Sequence, residues 1–165
     1  MKKRAIFLDR DGTINIDAEY LSDTAGFYWM PDAIEAIRYI NEHGALAIVV
    51  TNQSGVARGY FPEENVIKLH EWMQKELACY GAHIDGFYYC PHHPEAKVEE
   101  YRKDCDCRKP KPGLILKAAA DHDIDLAHSV MIGDKERDAE CGRRAGCLGV
   151  RFVGGSLLDE VRKFV

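Results

Sequence analysis

The feature that most constrains this chain is a set of short apolar runs that do not alternate with polar residues. Ala5-Ile6-Phe7-Leu8, Ala45-Leu46-Ala47-Ile48-Val49-Val50, Phe87-Tyr88-Tyr89, Val130-Met131-Ile132 and Leu148-Gly149-Val150-Arg151-Phe152-Val153 each have the length of a strand. A strand that is apolar on both sides has to be covered on both sides, as in a parallel sheet flanked by helices. Helical patterns separate the runs, over residues 31–43 (apolar at Ile34, Ile37 and Ile40), 63–80, 112–122, 136–145 and 157–164. Pro31 stands near the start of the first and Gly44 just past its end, where each suits a helix boundary. The expected fold is therefore α/β, a Rossmann-like three-layer sandwich around a central parallel sheet. With 165 residues and no repeat, linker or low-complexity stretch, residues 1–165 are expected to form one domain.

In such folds the site lies beyond the carboxyl ends of the strands. Polar clusters stand at those ends: residues 9–11 after the first strand, 51–54 after the second, 90–93 after the third and Asp134 after the fourth. Four chemistry-bearing clusters converging on one edge point to an enzyme. The net charge of −5 argues against a general nucleic-acid partner. No apolar run approaches the roughly 20 residues that span a bilayer, and the four apolar residues before Asp9 are too few for a signal-peptide core. A cytoplasmic protein is expected, without membrane partner. A monomer is expected too, since no apolar helix stripe is left over.

Asp9-Arg10-Asp11-Gly12-Thr13 follows the first strand directly. Residues two apart in extended chain face the same way, so Asp9 and Asp11 are expected to share one space with Arg10 turned away. Two carboxylates that close need a cation between them. Their hard oxygens suit Mg²⁺, with Asp134 as a third carboxylate. Gly12 permits a tight turn whose N–H groups can meet phosphate oxygens.

The six cysteines divide into two groups. Cys90, Cys105 and Cys107 share the irregular stretch of about residues 90–107 with His92 and His93, and three thiolates plus one imidazole make a closed tetrahedral zinc site. His92 is the expected ligand, with His93 as the alternative. With no open position the zinc is structural. Thiols in so polar a loop are not expected to be core residues, whereas Cys79, Cys141 and Cys147 are. Arg108-Lys109-Pro110-Lys111-Pro112-Gly113 follows the last cysteine, so fixing the loop aims Arg108 and Lys109 at the acids. Lys111 reads as part of a solvated turn.

These motifs resemble those of the haloacid dehalogenase superfamily of phosphotransferases. Asp9 to Thr13 match its first motif, Thr51 its second, Lys109 its third, and Asp134 with Asp138 its fourth, in order and over most of the chain. The resemblance implies that Asp9 is the nucleophile, Asp11 the general acid and base, and Thr51 and Lys109 stabilisers of the phosphoryl group. It also implies Mg²⁺ held by Asp9, Asp134 and the backbone carbonyl of Asp11, with Asp138 supporting from behind.

The longer stretches 9–15, 51–59, 90–94, 105–110 and 133–135 are similar to the branch comprising heptose bisphosphate phosphatases and zinc-loop histidinol-phosphate phosphatases. That branch lacks a large cap domain, and no insert here exceeds a loop or a single helix. The branch implies a substrate pocket lined by Asp17, Ala18, Glu19, Tyr20, Asn52, Gln53, Ser54, Arg108 and Lys135. Arg108 would meet a second, non-reacting phosphate, for which its planar fork is suited. The expected reaction is hydrolysis of the 7-phosphate of D-glycero-D-manno-heptose 1,7-bisphosphate through an aspartyl-phosphate, within ADP-heptose or GDP-heptose synthesis. Histidinol-phosphate hydrolysis is the alternative, and a zinc-stapled binding module without catalysis the reading from another class. Removal of 3′-phosphates from DNA ends is disfavoured by the acidic balance.

Overall fold

The computed structural model describes residues 2–165. Its strands are β1 (Ala5–Leu8), β2 (Leu46–Asn52), β3 (Gly86–Cys90), β4 (Val130–Gly133) and β5 (Leu148–Arg151). Its α-helices are α1 (Ala33–Glu42), α2 (Glu63–Ala78), α3 (Gly113–His122), α4 (Glu136–Ala145) and α5 (Leu157–Arg162). The strands form one sheet in the order β3-β2-β1-β4-β5, and every pairing is parallel.

The missing alternation in the apolar runs has a direct structural cause. Along β1, Ile6 and Leu8 enter one core while Ala5 and Phe7 enter the other. β2 divides likewise, with Ala47 and Val49 on one side and Ile48 and Val50 on the other. The first core is closed by Ala36, Ile37 and Ile40 of α1, Leu69, Met73 and Leu77 of α2, and Leu157 and Val161 of α5. The second is closed by Leu114, Ile115 and Ala118 of α3 and Cys141 and Ala145 of α4. Helix, sheet and helix therefore make three layers, as expected.

Two cysteine expectations need correction. Cys79 is exposed, because it falls off the Val66, Leu69, Met73 and Leu77 face that α2 buries. Cys90 and Cys105 are buried rather than solvated. Cys90 is the last residue of β3, and both thiols pack with Leu114 and Ile115 of α3, so the loop folds back onto the second core.

The order of the strands positions the site. The chain winds outward from β1 to β3, then returns to place β4 on the other side of β1. The crevice where winding reverses opens above the ends of β1 and β4, the usual place for a ligand in a sheet of this kind. Residues 9–32 contain no helix or strand, so nothing larger than a loop covers it from the β1 side. Among the described residues no helix is long and apolar enough to cross a membrane.

α4 lies hard against β4 and β5. A Cβ built on Gly149 would stand 1.9 Å from the Ala139 carbonyl oxygen, and one on Gly142 would stand 2.6 Å from Met131 Cβ. Neither backbone can yield without lifting the helix. Gly149→Ala is expected to cost about 1–3 kcal/mol of stability, read as a lower urea midpoint. An unchanged midpoint would show that α4 is not seated this closely.

Candidate active site

The first four residues after β1 turn sharply. The Arg10 carbonyl accepts from the N–H groups of Thr13, Ile14 and Asn15, and Gly12 takes a φ of 90°. Gly12 is required for space as well, because a Cβ there would lie 2.2 Å from Asp134 Oδ2. The carboxylate arriving from β4 occupies the volume a side chain would fill.

Lys109 stands at the centre of the site. It is 2% exposed, and its Nζ donates to Asp9 Oδ1 at 2.7 Å and to the Val50 carbonyl at 2.9 Å. The same ammonium pairs with Asp138 Oδ1 at 2.7 Å. Its backbone is held from β2: Lys109 N donates to Asn52 Oδ1 at 2.9 Å, and Asn52 Nδ2 donates to the Lys109 carbonyl at 3.3 Å. Burial opposes the charge on Lys109, but Asp9 and Asp138 outweigh it and keep the ammonium more basic than usual. Burial raises the Asp9 carboxyl to about 7, with Asp138 and Asp11 pushing the same way and Lys109 opposing.

Carboxylate oxygens of Asp9, Asp134 and Asp138 all lie within 4.8 Å of one another. Asp134 Oδ1 is buried without a hydrogen-bond partner. Three carboxylates share one buried ammonium, with the exposed Lys135 Nζ 3.9 Å from Asp134 Oδ2, and an orphaned hard oxygen among them fits a small divalent cation such as Mg²⁺. Asp138 is engaged elsewhere, by Lys109 and by Lys135 N at 3.0 Å at the start of α4.

Asp11 departs from expectation. Its carboxylate is not in this group, and Arg10 is not turned away from it. Arg10 is 0% exposed; its Nε donates to Asp11 Oδ1 and its Nη2 to Asp11 Oδ2, both at 3.1 Å. Asn15 Nδ2 donates to Oδ1 at 3.0 Å and Gln53 Nε2 to Oδ2 at 3.2 Å. Asp9 and Asp11 do face one cavity, as expected, but the turn at the Arg10 carbonyl folds Arg10 back onto Asp11 instead of outward. The cation beside Asp11 is therefore a guanidinium. Arg10, Asn15 and His70, which meets Arg10 from α2, were not singled out from the sequence, since each in isolation looks like an ordinary loop or helix residue.

A cavity of about 380 Å³ opens over these groups. Asp9, Asp11, Thr51, Lys109 and Asp134 line its floor, and Asn52, Gln53, Ser54, Arg108 and Lys135 its walls. Asp17, Glu19 and Tyr20 form one lip, whereas the exposed Ala18 does not reach it. Glu19 and Tyr20 have φ of 43° and 54°, a conformation side chains rarely adopt. Arg58 and Arg137 join the wall although the sequence reading assigned them no role. The Nε atoms of Arg58 and Arg108 are both buried without a partner. A chain of net charge −5 thus gathers Arg58, Arg108, Lys109, Lys135 and Arg137 around one opening.

The cysteine loop ends where Arg108 begins. Ligand atoms of Cys90, His92, Cys105 and Cys107 all lie within 4.8 Å of one another. The Sγ of Cys105 is 3.2 Å from that of Cys90 and 3.0 Å from that of Cys107, too far for a disulfide at about 2.05 Å. His92 Nδ1 lies 3.7 Å from Cys90 Sγ and 3.6 Å from Cys107 Sγ. Three thiolates and one imidazole converging on one point fit Zn²⁺. His93 Nδ1 instead accepts from Glu95 N at 3.0 Å, so His92 is the imidazole in the group.

Two outcomes follow from these geometries. Cys105→Ser is expected to reduce zinc content from one per chain toward zero and to lower activity, because the segment leading to Lys109 loses its anchor. Full zinc retention, or zinc loss with activity intact, would count against that coupling. Asp9, with its raised pKa, favours the folded state while protonated. In magnesium-free protein that contribution is present below 3.8 and lost as the pH rises through about 7. Asp9→Asn escapes the loss, so its Tm advantage over the parent should widen from pH 4 to pH 7 and then level off. A constant gap would place Asp9 at its ordinary pKa.

Comparison with known proteins agrees with this geometry. Residues 106–157 match the HAD-hydrolase-like family. The chain is 51% identical over 143 residues to the D-glycero-beta-D-manno-heptose-1,7-bisphosphate 7-phosphatase of Pasteurella multocida, covering 87% of this chain and 77% of that protein. It is 48% identical over 146 residues to the enzyme of that name from Vibrio cholerae, covering 88% and 78%. Its fold superposes with a TM-score of 0.84 and 30% identity on a crystal structure of D,D-heptose 1,7-bisphosphate phosphatase from B. bronchiseptica complexed with magnesium and phosphate, over 97% of both chains. The chain belongs to the HAD-like phosphatases, in the same family as these heptose bisphosphate phosphatases.

Proposed function

We propose that this phosphatase removes the 7-phosphate of D-glycero-D-manno-heptose 1,7-bisphosphate, giving heptose 1-phosphate and phosphate. The observation that carries the reading is one cavity that gathers both an acid cluster and two unpaired guanidinium nitrogens. Asp9, Lys109 and Asp134 lie on its floor, and Arg58 and Arg108 stand in its wall with unpartnered buried Nε atoms. One anionic group can sit over the acids while another meets the guanidinium forks, as a bisphosphate requires. The names of the relatives at 51% and 48% identity support the same substrate.

Lys109 occupies Asp9 Oδ1, which leaves Oδ2 to attack phosphorus. The P–O bond to carbon 7 breaks as the Asp9–phosphorus bond forms, and Asp11 delivers a proton to the departing oxygen. Water then attacks the aspartyl-phosphate, Asp11 takes its proton, and Asp9 is released. Thr51, buried at the end of β2, and Lys109 face the phosphoryl oxygens as charge moves onto them. Asp9 and Asp134, with the backbone carbonyl of Asp11, would hold Mg²⁺, which when bound neutralises phosphoryl charge. Asp138 holds Lys109 in place. Gln53 donates to Thr51 Oγ1 at 2.9 Å as well as to Asp11, so it steadies two of these groups at once. Asn52, whose amide is spent on Lys109, acts on the substrate through that lysine, while Ser54, Asp17, Glu19, Tyr20 and Lys135 contact the sugar and its phosphates. The zinc is structural. Residues 1–165 are taken as one catalytic unit, a cytoplasmic monomer acting on a small soluble sugar phosphate.

Phosphate release should be measured with Mg²⁺ on heptose 1,7-bisphosphate and on histidinol phosphate in parallel. A strong preference for the bisphosphate, abolished in Asp9→Asn, is expected. Arg108→Ala should lower kcat/KM for the bisphosphate by about tenfold to a hundredfold, the range for lost hydrogen bonds to a charged group. Preference for histidinol phosphate would overturn the substrate while leaving the roles on the cavity floor in place.

A further inference from the structure

His70 belongs to α2, far from the motif residues in sequence, yet it reaches the site. Its ring is buried and stacks on Phe87 of β3, with centroids 4.5 Å apart and planes 16° from parallel. Its Nε2 lies 3.2 Å from Arg10 Nη1. An arginine has only donors, so Nε2 has to accept and the ring proton has to sit on Nδ1. An imidazolium would set donor against donor. Burial, and then the charge of Arg10, push the His70 pKa down to about 3, in agreement with a neutral ring.

Arg10 spends its other donors on the catalytic side. Nε and Nη2 take the two oxygens of Asp11, and Nη2 also reaches Gln53 Oε1 at 3.3 Å and the Leu21 carbonyl at 3.4 Å. Nη1 is the nitrogen that faces away from Asp11, and His70 is its partner. The plane of a guanidinium is rigid, so fixing Nη1 fixes the two nitrogens that grip the carboxylate.

We propose that His70 is a positioning residue for Asp11, acting through Arg10, so that the acid delivers its proton along the line to the leaving oxygen. The proposal rests on the reading of Asp11 as the acid and base. Without the acceptor at Nε2 the fork is held only on the Nη2 side, by Gln53 Oε1 and the Leu21 carbonyl, and the carboxylate it grips is less firmly placed. Misplacement of a reacting group by a fraction of an ångström is costly for proton transfer. An apolar side chain at this point of α2 would leave the buried Arg10 Nη1 without its acceptor, so a structural role has to be separated from a positioning one by experiment.

Leaving groups separate a positioning role from a structural one. Heptose 1,7-bisphosphate expels an alkoxide that needs a proton, whereas p-nitrophenyl phosphate expels a stable phenolate. kcat/KM extends only to the first P–O cleavage, so Asp11's later service to water does not enter it. The metal-loaded protein is compared with His70→Leu, His70→Gln and Asp11→Asn. Asp11→Asn should lose about a hundredfold or more on the bisphosphate, the ordinary worth of a general acid, and far less on the aryl ester. His70→Leu should lose about tenfold or more on the bisphosphate and less than about threefold on the aryl ester, a part of that same effect. His70→Gln, whose Oε1 can stand where Nε2 stood, should recover most of the loss.

Equal losses of His70→Leu on both esters, no loss on either, or failure of His70→Gln to recover would overturn the proposal while Asp11→Asn keeps its signature. Equal losses in Asp11→Asn would instead remove the acid role of Asp11. Should His70→Leu not fold, Arg10→Lys retains the charge without the fork. It is expected to show the same leaving-group dependence, and equal losses there would overturn the proposal.

Discussion

The site depends on one buried ammonium. Lys109 bridges Asp9 at the end of β1 and Asp138 in the first turn of α4, and also donates to the Val50 carbonyl of β2. Removing any of these charges from water is expensive, and the arrangement persists because one ammonium contacts both carboxylates. Deleting the ammonium would leave Asp9, Asp134 and Asp138 mutually repelling at the switch point of the sheet. The rest of the architecture can be seen as a means of bringing this lysine, from a loop without regular structure, to its place among the strand ends.

The cysteine loop supplies that delivery. Cys107 is two residues before Lys109, and Asn52 pairs with the lysine backbone in both directions from β2. Lys109 is therefore held from two sides, by a ligand cluster behind it and by the sheet below. The Cys90 and Cys105 thiols pack into the second core with Leu114 and Ile115, so the anchor is continuous with the hydrophobic layer that α3 covers. A mobile basic loop would supply the same charges at greater entropic cost.

The fold was legible because both faces of the sheet are buried, which writes itself into β1, β2 and β4 as unbroken apolar runs. The strand-end clusters were legible because parallel topology gathers every carboxyl end on one edge. What escaped was whatever depends on a turn or on a partner distant in sequence. Arg10 reads as an outward residue in extended chain, but the turn at its carbonyl buries it against Asp11 and His70. Ala18 looks equivalent to Asp17 and Glu19, yet it is exposed and only its neighbours line the cavity. The exposure of Cys79 could have been found from the phase of α2, whereas the burial of Cys90 required knowing that β3 runs on to residue 90.

The strand order also has a consequence for synthesis. β1 pairs with β2 as soon as the first third of the chain is available, but its other edge is reserved for β4. Until β4 leaves the ribosome, the central strand of the finished sheet is an edge strand with unpaired N–H and C=O groups, the situation in which chains associate wrongly. Asp9 waits equally long for Asp134 and Asp138. The nascent polypeptide thus carries Asp9 from the outset and lacks the other two carboxylates of the cluster until the late strand closes the gap.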